Sequence, residues 1–422
     1  MAEYVIEPDT QQMLCQSTQI EEGEYNVKKV MVLGASFLQS FVINKVKQMG
    51  HFCIALDGNP ASESFALADK SYACSTTDMD EVLRIAREEQ IDGIMTYASD
   101  VAAPTAAYVA EKMNLPTNPY VSVDIMTDKA KTRLFMEQNG FHVPKSRETK
   151  TLAEAVTTAR EIGFPVIVKP TDASGSKGVT RVDAPEALEE AFAYAMSFSR
   201  SKTVIVETFL VRDGYQIDAD CFMYNGELVY FNPMDQHQDR IAPYSPIGIS
   251  APSILDVQRR QLAHDEVSRF LKLLNMRFGE YNVEYIFDAQ GRIYILEIGP
   301  RTGGNLIPDV IREGTGFDIV AANVKAHLGE PCEIPSDLPF VSNVTSFIIH
   351  SQEDGIFDGL DIHPEVEKGI QFLKLFVQPG EQVKRFTSGI YAMGFCLMKF
   401  EDHAFMLEVL DNSAEYIKVK VR

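Results

Sequence analysis

Apolar positions along this chain alternate between two rhythms, short unbroken runs and longer stretches with helical spacing. Lys28-Lys29-Val30-Met31-Val32-Leu33-Gly34 is an apolar run closed by a glycine, followed by a helical stretch to Gly50 and a second run, Phe52 to Asp57. The alternation continues through a helix over Asp80–Glu89, a strand over Gly93–Tyr97 and an alanine-rich helix over Ala102–Asn114. Strand, helix, strand with short links predicts a parallel α/β sheet. Pro116 to Pro119 punctuates the end of that lobe, and a helix follows from Asp128 to Asn139, closed by Gly140. After a helix over Leu152–Ile162, the rhythm changes to strands and hairpins. Pro165–Pro170, Val179–Val182 and Thr203–Glu207 read as strands, Ile217–Tyr224 and Glu227–Phe231 as a hairpin across Asn225-Gly226, and Tyr281–Phe287 with Arg292–Ile298 as a second hairpin. From about Pro335 the chain is β-rich. The class expected is α/β in its first lobe and α+β beyond, with several lobes.

Length and charge narrow the function. At 422 residues the chain is too long for one ordinary core, and 45% hydrophobic with 23% charged residues is a globular composition. No apolar run reaches the length of a membrane span, and the acidic, polar N-terminus lacks the basic and apolar regions of a signal peptide. Six scattered cysteines without a CxxC pair fit a reducing cytoplasm. A net charge of −21 argues against nucleic-acid or anionic-membrane binding, so any site for a polyanion must be locally basic or metal-assisted.

That requirement directs attention to a few segments. Gly34-Ala35-Ser36-Phe37-Leu38-Gln39 holds only the first glycine of GxGxxG, so a dinucleotide fingerprint is missing, and Asp57 with Gly58-Asn59-Pro60 reads as a strand-end turn ahead of a ribose ligand. Ser174-Gly175-Ser176-Lys177-Gly178 offers backbone N–H groups, hydroxyls and a cation to phosphate oxygens, although a plain hairpin connection has the same composition. Lys169 ends a Val-Ile-Val run, where its charge needs either an anion or solvent. Glu207-Thr208-Phe209-Leu210 ends another apolar strand and has the make-up to meet a base edge. Glu284 and Glu297 lie on the two strands of the second hairpin, each between apolar neighbours. Adjacent buried carboxylates repel unless a cation sits between them, and hard oxygen ligands suit Mg²⁺; a structural pair satisfied by backbone or arginine is the other reading. Arg301, Gly304 and Asn305 follow at once in a glycine-rich loop suited to anions.

In this order the residues resemble the ATP-grasp superfamily over roughly residues 28–327. The resemblance implies an N-terminal Rossmann-like parallel-sheet lobe, a lid subdomain, a central antiparallel sheet and a β-rich C-terminal part. The expected bounds are 1–27 for a flexible leader, 28–120, 121–334 with the lid at about 145–205, and 335–422. It implies that Lys129, Lys169 and the lid loop Ser174, Gly175, Ser176, Lys177 and Gly178 contact phosphates, and that Glu207, Thr208, Phe209 and Leu210 form the adenine hinge. Gln216 falls where the family often has a ribose- or phosphate-binding glutamate. Glu284 and Glu297 match the magnesium carboxylates, for which manganese is an acceptable substitute. The common Glu-x-Asn-x-Arg pattern reads here Glu297-Ile298-Gly299-Pro300-Arg301, without its asparagine. Glu297-(x)3-Arg301 followed by Gly304-Asn305-Leu306-Ile307-Pro308 is similar to L-amino-acid ligases. The implied activity is an ATP-dependent carboxylate–amine ligase forming an amide through an acyl phosphate, with Arg301 and Lys177 as catalytic groups and with small-molecule acid and amine substrates. A homodimer is the assembly the resemblance suggests. A bicarbonate-activating carboxylase-like enzyme, a kinase with a stable phosphorylated product and a non-catalytic ATP-binding regulator are the rivals. His237, in the polar segment Asp235–Arg240, is a candidate for the substrate side, with an exposed loop histidine as the other reading, and Arg240 is a candidate for a second carboxylate. The proline-rich run Pro243–Gly248 reads as a loop shaping the acceptor pocket.

Overall fold

A computed structural model describes residues 27–173, 175–335 and 338–422. The first lobe is β1 (Lys29–Leu33), α1 (Phe37–Gln48), β2 (Phe52–Asp57), β3 (Lys70–Ala73), α2 (Met79–Glu89), β4 (Gly93–Thr96) and α3 (Ala103–Met113). Its four strands are parallel in the order β3-β2-β1-β4. After Lys29, β1 is apolar because both of its faces are covered: Val30 and Val32 join one core cluster, Met31 and Leu33 another. The loops after β1 and β4 leave the carboxyl ends of the parallel strands and carry Leu38 and Asp100 toward the middle of the molecule. Asp57 accepts the backbone N–H groups of Ala35 and Asn59, both at 2.8 Å, which is the strand-end turn its sequence suggests.

Helices α4 (Tyr120–Thr127) and α5 (Lys129–Gln138) follow. Asp128 caps α5 by accepting from Ala130 and Lys131, so Lys129 is fixed at the first helical position. Next comes a four-stranded antiparallel sheet in the order β5-β8-β6-β7, formed by β5 (Ser146–Thr149), β6 (Val166–Pro170), β7 (Thr180–Val182) and β8 (Val204–Thr208). Helices α6 (Leu152–Ile162) and α7 (Leu188–Phe198) pack with it around Val166, Val168 and Val206.

The largest unit is a nine-stranded sheet. Its members are β9 (Gln216–Tyr224), β10 (Glu227–Phe231), β11 (Met234–Gln238), β12 (Pro246–Ala251), β13 (Gly279–Phe287), β14 (Ile293–Gly299), β15 (Asn343–Ile349), and two later strands, Ile370–Leu375 and Gly394–Phe400. The strands contributed after residue 340 extend this sheet beyond β12 by pairing with β15 and each other. Helix α8 (Val257–Leu273) covers one face through Ala263, Val267, Phe270 and Leu271. On the other side α9 (Ile307–Thr315) and α10 (Ile319–His327) share a core with the first lobe.

Two local expectations are corrected. The segment Asp235–Arg240 is no polar loop, because Met234–Gln238 is a strand paired on both sides. Its polar groups find partners indoors: Asp235 accepts from Ser253 Oγ at 2.6 Å and from the Ile254 N–H at 2.8 Å. The run Pro243–Gly248 is a loop only as far as Ser245; β12 opens with Pro246, a position where a strand tolerates proline.

Candidate active site

A cleft of about 720 Å³ opens between the lid sheet, the large sheet, the first lobe and the last eighty residues, a size usual for small-molecule sites. Its floor is set by strand register. Asp218, Glu284 and Glu297 stand directly opposite one another across β9, β13 and β14, so their side chains share one face of the sheet. Gln216 Nε2 donates to Glu284 Oε2 at 2.7 Å, and Lys129 Nζ donates to Glu297 Oε1 at 3.1 Å. Burial, and then the charge of Glu297, pushes the Glu284 carboxyl up to about 7. Asp218 is also pushed up, by burial and then by Glu284 and Asp220, while Asn282 Nδ2 donates to it at 2.6 Å.

The facing carboxylates of Glu284 and Glu297 are hard oxygen donors on one face of the sheet, a donor set that fits a divalent cation. Among the described residues no group of three or more His, Cys, Asp or Glu could hold a metal ion unaided. Glu284 and Glu297 are therefore suited to a metal whose other ligands come with a substrate or from water.

Beside this pair the chain turns sharply into the arginine loop. Arg301 donates through Nε and Nη2 to both oxygens of Asp100, at 2.7 and 2.8 Å, and through Nη1 to the Thr302 carbonyl at 3.2 Å. Burial raises the Asp100 carboxyl, but the Arg301 charge outweighs it and holds the group below its ordinary range. The loop rests on further buried acids. Gly303 N–H donates to Asp220 Oδ2 and Thr302 Oγ1 donates to Glu280 Oε2, both at 2.9 Å. The geometry explains the glycine at 299. A β-carbon there would lie 2.4 Å from Asp100 Oδ1 and 3.0 Å from Arg301 Nε, so the ion pair occupies the space an asparagine side chain would need.

The opposite wall is cationic. Lys169, at the end of β6, is bonded to Glu207, which also accepts from Arg133 Nε at 3.2 Å. Burial pushes Glu207 up, and the two cations outweigh it to hold the carboxyl at about 2. Lys169 therefore meets a protein carboxylate within hydrogen-bonding range, and its flank lines the cleft. Thr208, Phe209 and Leu210 line the cleft beside Ile167, Ile286 and Leu296, which gives a flat apolar slot. Arg181 from the lid lies 4.3 Å above the Phe209 ring.

Of the lid loop, Gly175, Ser176 and Lys177 line the cleft, and Ser176 Oγ donates to the Tyr244 carbonyl at 2.8 Å. Gly178 packs instead against Pro170, Ala195 and Phe198, where a β-carbon would come within about 3.1–3.2 Å, so its smallness serves packing and it lines no part of the cleft. Ser174 lies outside the described residues. Gly304 and Asn305 line the cleft from the loop before α9.

His237 does not reach this space. Its ring is 1% exposed, with Nδ1 2.9 Å from Asp411 Oδ1 and Nε2 2.9 Å from Ser250 Oγ, joining β11 to β12 and to the helix His403–Asp411. Both ring nitrogens are thus taken by protein partners, and the ring is not part of the cleft lining. Arg240 is exposed and does not line the cleft.

Sequence reasoning passed over Asp100, Asp218, Arg133 and Arg181. The alternation Gln216-Asp218-Asp220 in an otherwise apolar strand was a readable sign of polar groups on one face. Asp100 carried no comparable mark; only the fold brings it to Arg301, 201 residues away.

Residues 128–334 match the family model described as the carbamoyl-phosphate synthase L chain, ATP binding domain. A formate-dependent phosphoribosylglycinamide formyltransferase of Erythrobacter litoralis is 24% identical over 366 residues, spanning 85% of this chain and 90% of that one. Among solved structures, the L-amino acid ligase of Bacillus licheniformis superposes with a TM-score of 0.79 at 21% identity, covering 94% of this chain and 99% of that one. The biotin carboxylase domain of Hydrogenobacter thermophilus 2-oxoglutarate carboxylase, solved as a dimer with MgADP, ADP and bicarbonate, superposes with a TM-score of 0.71 at 18% identity, covering 93% and 91%.

Proposed function

Since this chain is an ATP-grasp protein, we propose that it is an ATP-dependent carboxylate–amine ligase working through an acyl phosphate, with an amino acid among its substrates. The observation that carries this reading is that the facing Glu284–Glu297 pair, Arg301 and the lid residues Gly175, Ser176 and Lys177 line one cleft. Adenine suits the apolar slot at Phe209 and Leu210, and the phosphates suit Lys129, Lys169, Lys177 and Arg181. Glu284 and Glu297 would hold magnesium, which supplies charge neutralisation at the phosphates.

Arg301 has five N–H groups, and three are committed to Asp100 and Thr302, which leaves two to orient a substrate carboxylate. Asp100 keeps the guanidinium plane fixed, so little freedom is lost when that carboxylate binds. A carboxylate oxygen then attacks the γ-phosphorus; the bond to the bridging oxygen breaks, and ADP leaves. An amine attacks the acyl carbon, phosphate departs with the bonding pair, and the amine's proton passes to solvent or base. Lys177 balances the transferred charge, and the Ser176–Tyr244 contact keeps the lid down, which limits hydrolysis of the intermediate.

The test measures phosphate release with Mg-ATP across a matrix of carboxylates and amines, with product mass read in parallel. Release dependent on a carboxylate–amine pair, lost in Glu297→Gln and reduced about a hundredfold in Arg301→Lys, is expected. Fixation of labelled bicarbonate without an amide would replace this reading with the carboxylase-like one, which the bicarbonate in the Hydrogenobacter structure keeps in view.

A further inference from the structure

The cleft has a second end that the nucleotide does not explain. Five apolar side chains that the nucleotide reading does not use also line the cleft: Leu38 from α1, Ala98 after β4, Ile307 at the start of α9, and Ile390 and Phe395 from the last forty residues. Three of them, far apart in sequence, adjoin the Arg301 loop: a β-carbon on Gly304 would lie 4.0 Å from both Ala98 Cβ and Leu38 Cδ1, and one on Gly303 would lie 2.8 Å from Ile307 Cδ1. Phe395 is backed by rings, stacked on Phe37 at 6.0 Å and edge-on to Phe376 at 5.6 Å, so this wall is rigid. Ile390 is 47% exposed at its rim, an apolar side chain facing open space.

Charge separates the two ends. Lys169, Lys177, Arg181 and Arg212 belong to the lid and the hinge, whereas the five wall residues carry no charge. Arg301, in the loop that Leu38 and Ala98 adjoin, is already paired with Asp100. A second carboxylate or an ammonium pushed into this end would lose its hydration with nothing to replace it.

Resting on the ligase reading above, we propose that the acid substrate is a monocarboxylate with an uncharged apolar side chain, and that the chamber formed by Leu38, Ala98, Ile307, Ile390 and Phe395 receives that side chain. The C-terminal segment thereby sets specificity. Gly389 sits beside it, a β-carbon there lying 3.9 Å from the Gly175 carbonyl of the lid, so the wall and the lid close over the same space. Burying a leucine- or phenylalanine-sized group in such a chamber favours it over a small or charged one by about tenfold to a hundredfold.

The experiment uses the full chain with Mg-ATP and hydroxylamine in place of the unknown amine, so that any acyl phosphate is trapped as a hydroxamate with release of phosphate. Leucine, phenylalanine, 4-methylpentanoate and 3-phenylpropanoate are compared with glutamate, succinate, lysine and glycine. Hydroxamate formation at least tenfold more efficient with the apolar acids is expected, and the ranking of each amino acid against its des-amino counterpart identifies the source as an amino acid or a simple organic acid.

The chain contains no tryptophan, so Ile390→Trp installs a single fluorophore at the chamber rim on an exposed side chain, and its thermal unfolding checks that the fold is kept. In the presence of a non-hydrolysable ATP analogue its emission should respond to the apolar acids and not to succinate. In turnover the same variant should disfavour the phenyl compounds by about tenfold relative to glycine. Efficient hydroxamate formation from dicarboxylates or lysine would overturn the chamber assignment and leave the ligase reading standing. Absence of any hydroxamate together with a fluorescence response to apolar acids would overturn the ligase chemistry and keep the chamber. Silence in both would overturn both.

Discussion

Glu207 offers the sharpest quantitative test of the interior. Its carboxylate, 5% exposed, is the shared partner of Lys169 and Arg133, and it ties β8 to β6 and α5 beside the apolar slot at Phe209. Arg133 also donates to the carbonyls of Ile295 and Leu296, at 3.1 and 2.8 Å, so the ion cluster reaches β14. Glu207→Gln keeps the shape but leaves two buried cations with one neutral partner. Removing one member of a buried pair costs about 3–5 kcal/mol because the remaining charge is uncompensated. An independent route gives the same size: lowering a carboxyl from its ordinary 4.5 to about 2 corresponds to about 3 kcal/mol. The sign follows from that depression. The stabilisation is fully present above pH 4.5 and is lost as pH falls toward 2, so wild type and variant should converge in acid.

Urea denaturation of both proteins at pH 7 and at the lowest pH that keeps wild type folded measures this difference directly. A second comparison, Lys169→Met with Glu207→Leu and the two together, separates the pair from its parts. The double variant should recover only the Lys169 share of the loss, because Arg133 stays buried without its carboxylate and keeps only its bonds to the Ile295 and Leu296 carbonyls. A difference under about 1 kcal/mol at pH 7, or one that does not shrink in acid, would refute the assignment of Glu207 as the charge that holds this corner.

Glu284 behaves in the opposite sense. Its carboxyl is raised to about 7, so metal-free wild type should lose stability as pH climbs from 4.5 to 7, and Glu284→Gln should be the more stable protein in chelator at pH 8. Because the side chain is only half-buried, the gain is about 1–2 kcal/mol; a wild type more stable than the variant at pH 8 would contradict it. Gly299→Asn restores the commoner pattern of the family yet should abolish carboxylate-dependent phosphate release, since its β-carbon meets Asp100 Oδ1 at 2.4 Å and must break the hold on Arg301. Retained activity in Gly299→Asn, measured beside Gly299→Ala, would show that the Asp100–Arg301 pair is dispensable.

The sequence by itself determined the local elements wherever one periodicity dominated. β1, β2, β6 and the β13–β14 hairpin were readable because apolar runs bounded by glycine or a turn leave few alternatives. It also pointed to side chains that line the cleft, since Glu284, Glu297 and Arg301 stand in segments whose spacing keeps them near one another. Helix α8 went unread although Asp256 caps it and Ala263, Val267, Phe270 and Leu271 mark its buried stripe, because its charged face masked that stripe.

What only the tertiary structure decided was which distant groups meet. Asp100 reaches Arg301 from another lobe, Arg133 reaches Glu207 across 74 residues, and Ile390 and Phe395 line the same cleft as Leu38. His237 shows the same from the other side: a polar stretch read as an exposed loop became a central strand because β9 and β12 paired with it. Periodicity records how a segment meets its immediate surroundings, solvent or core. Partners hundreds of residues away leave no period in the chain, so ion pairs and pocket walls between lobes appear only when the fold brings them together.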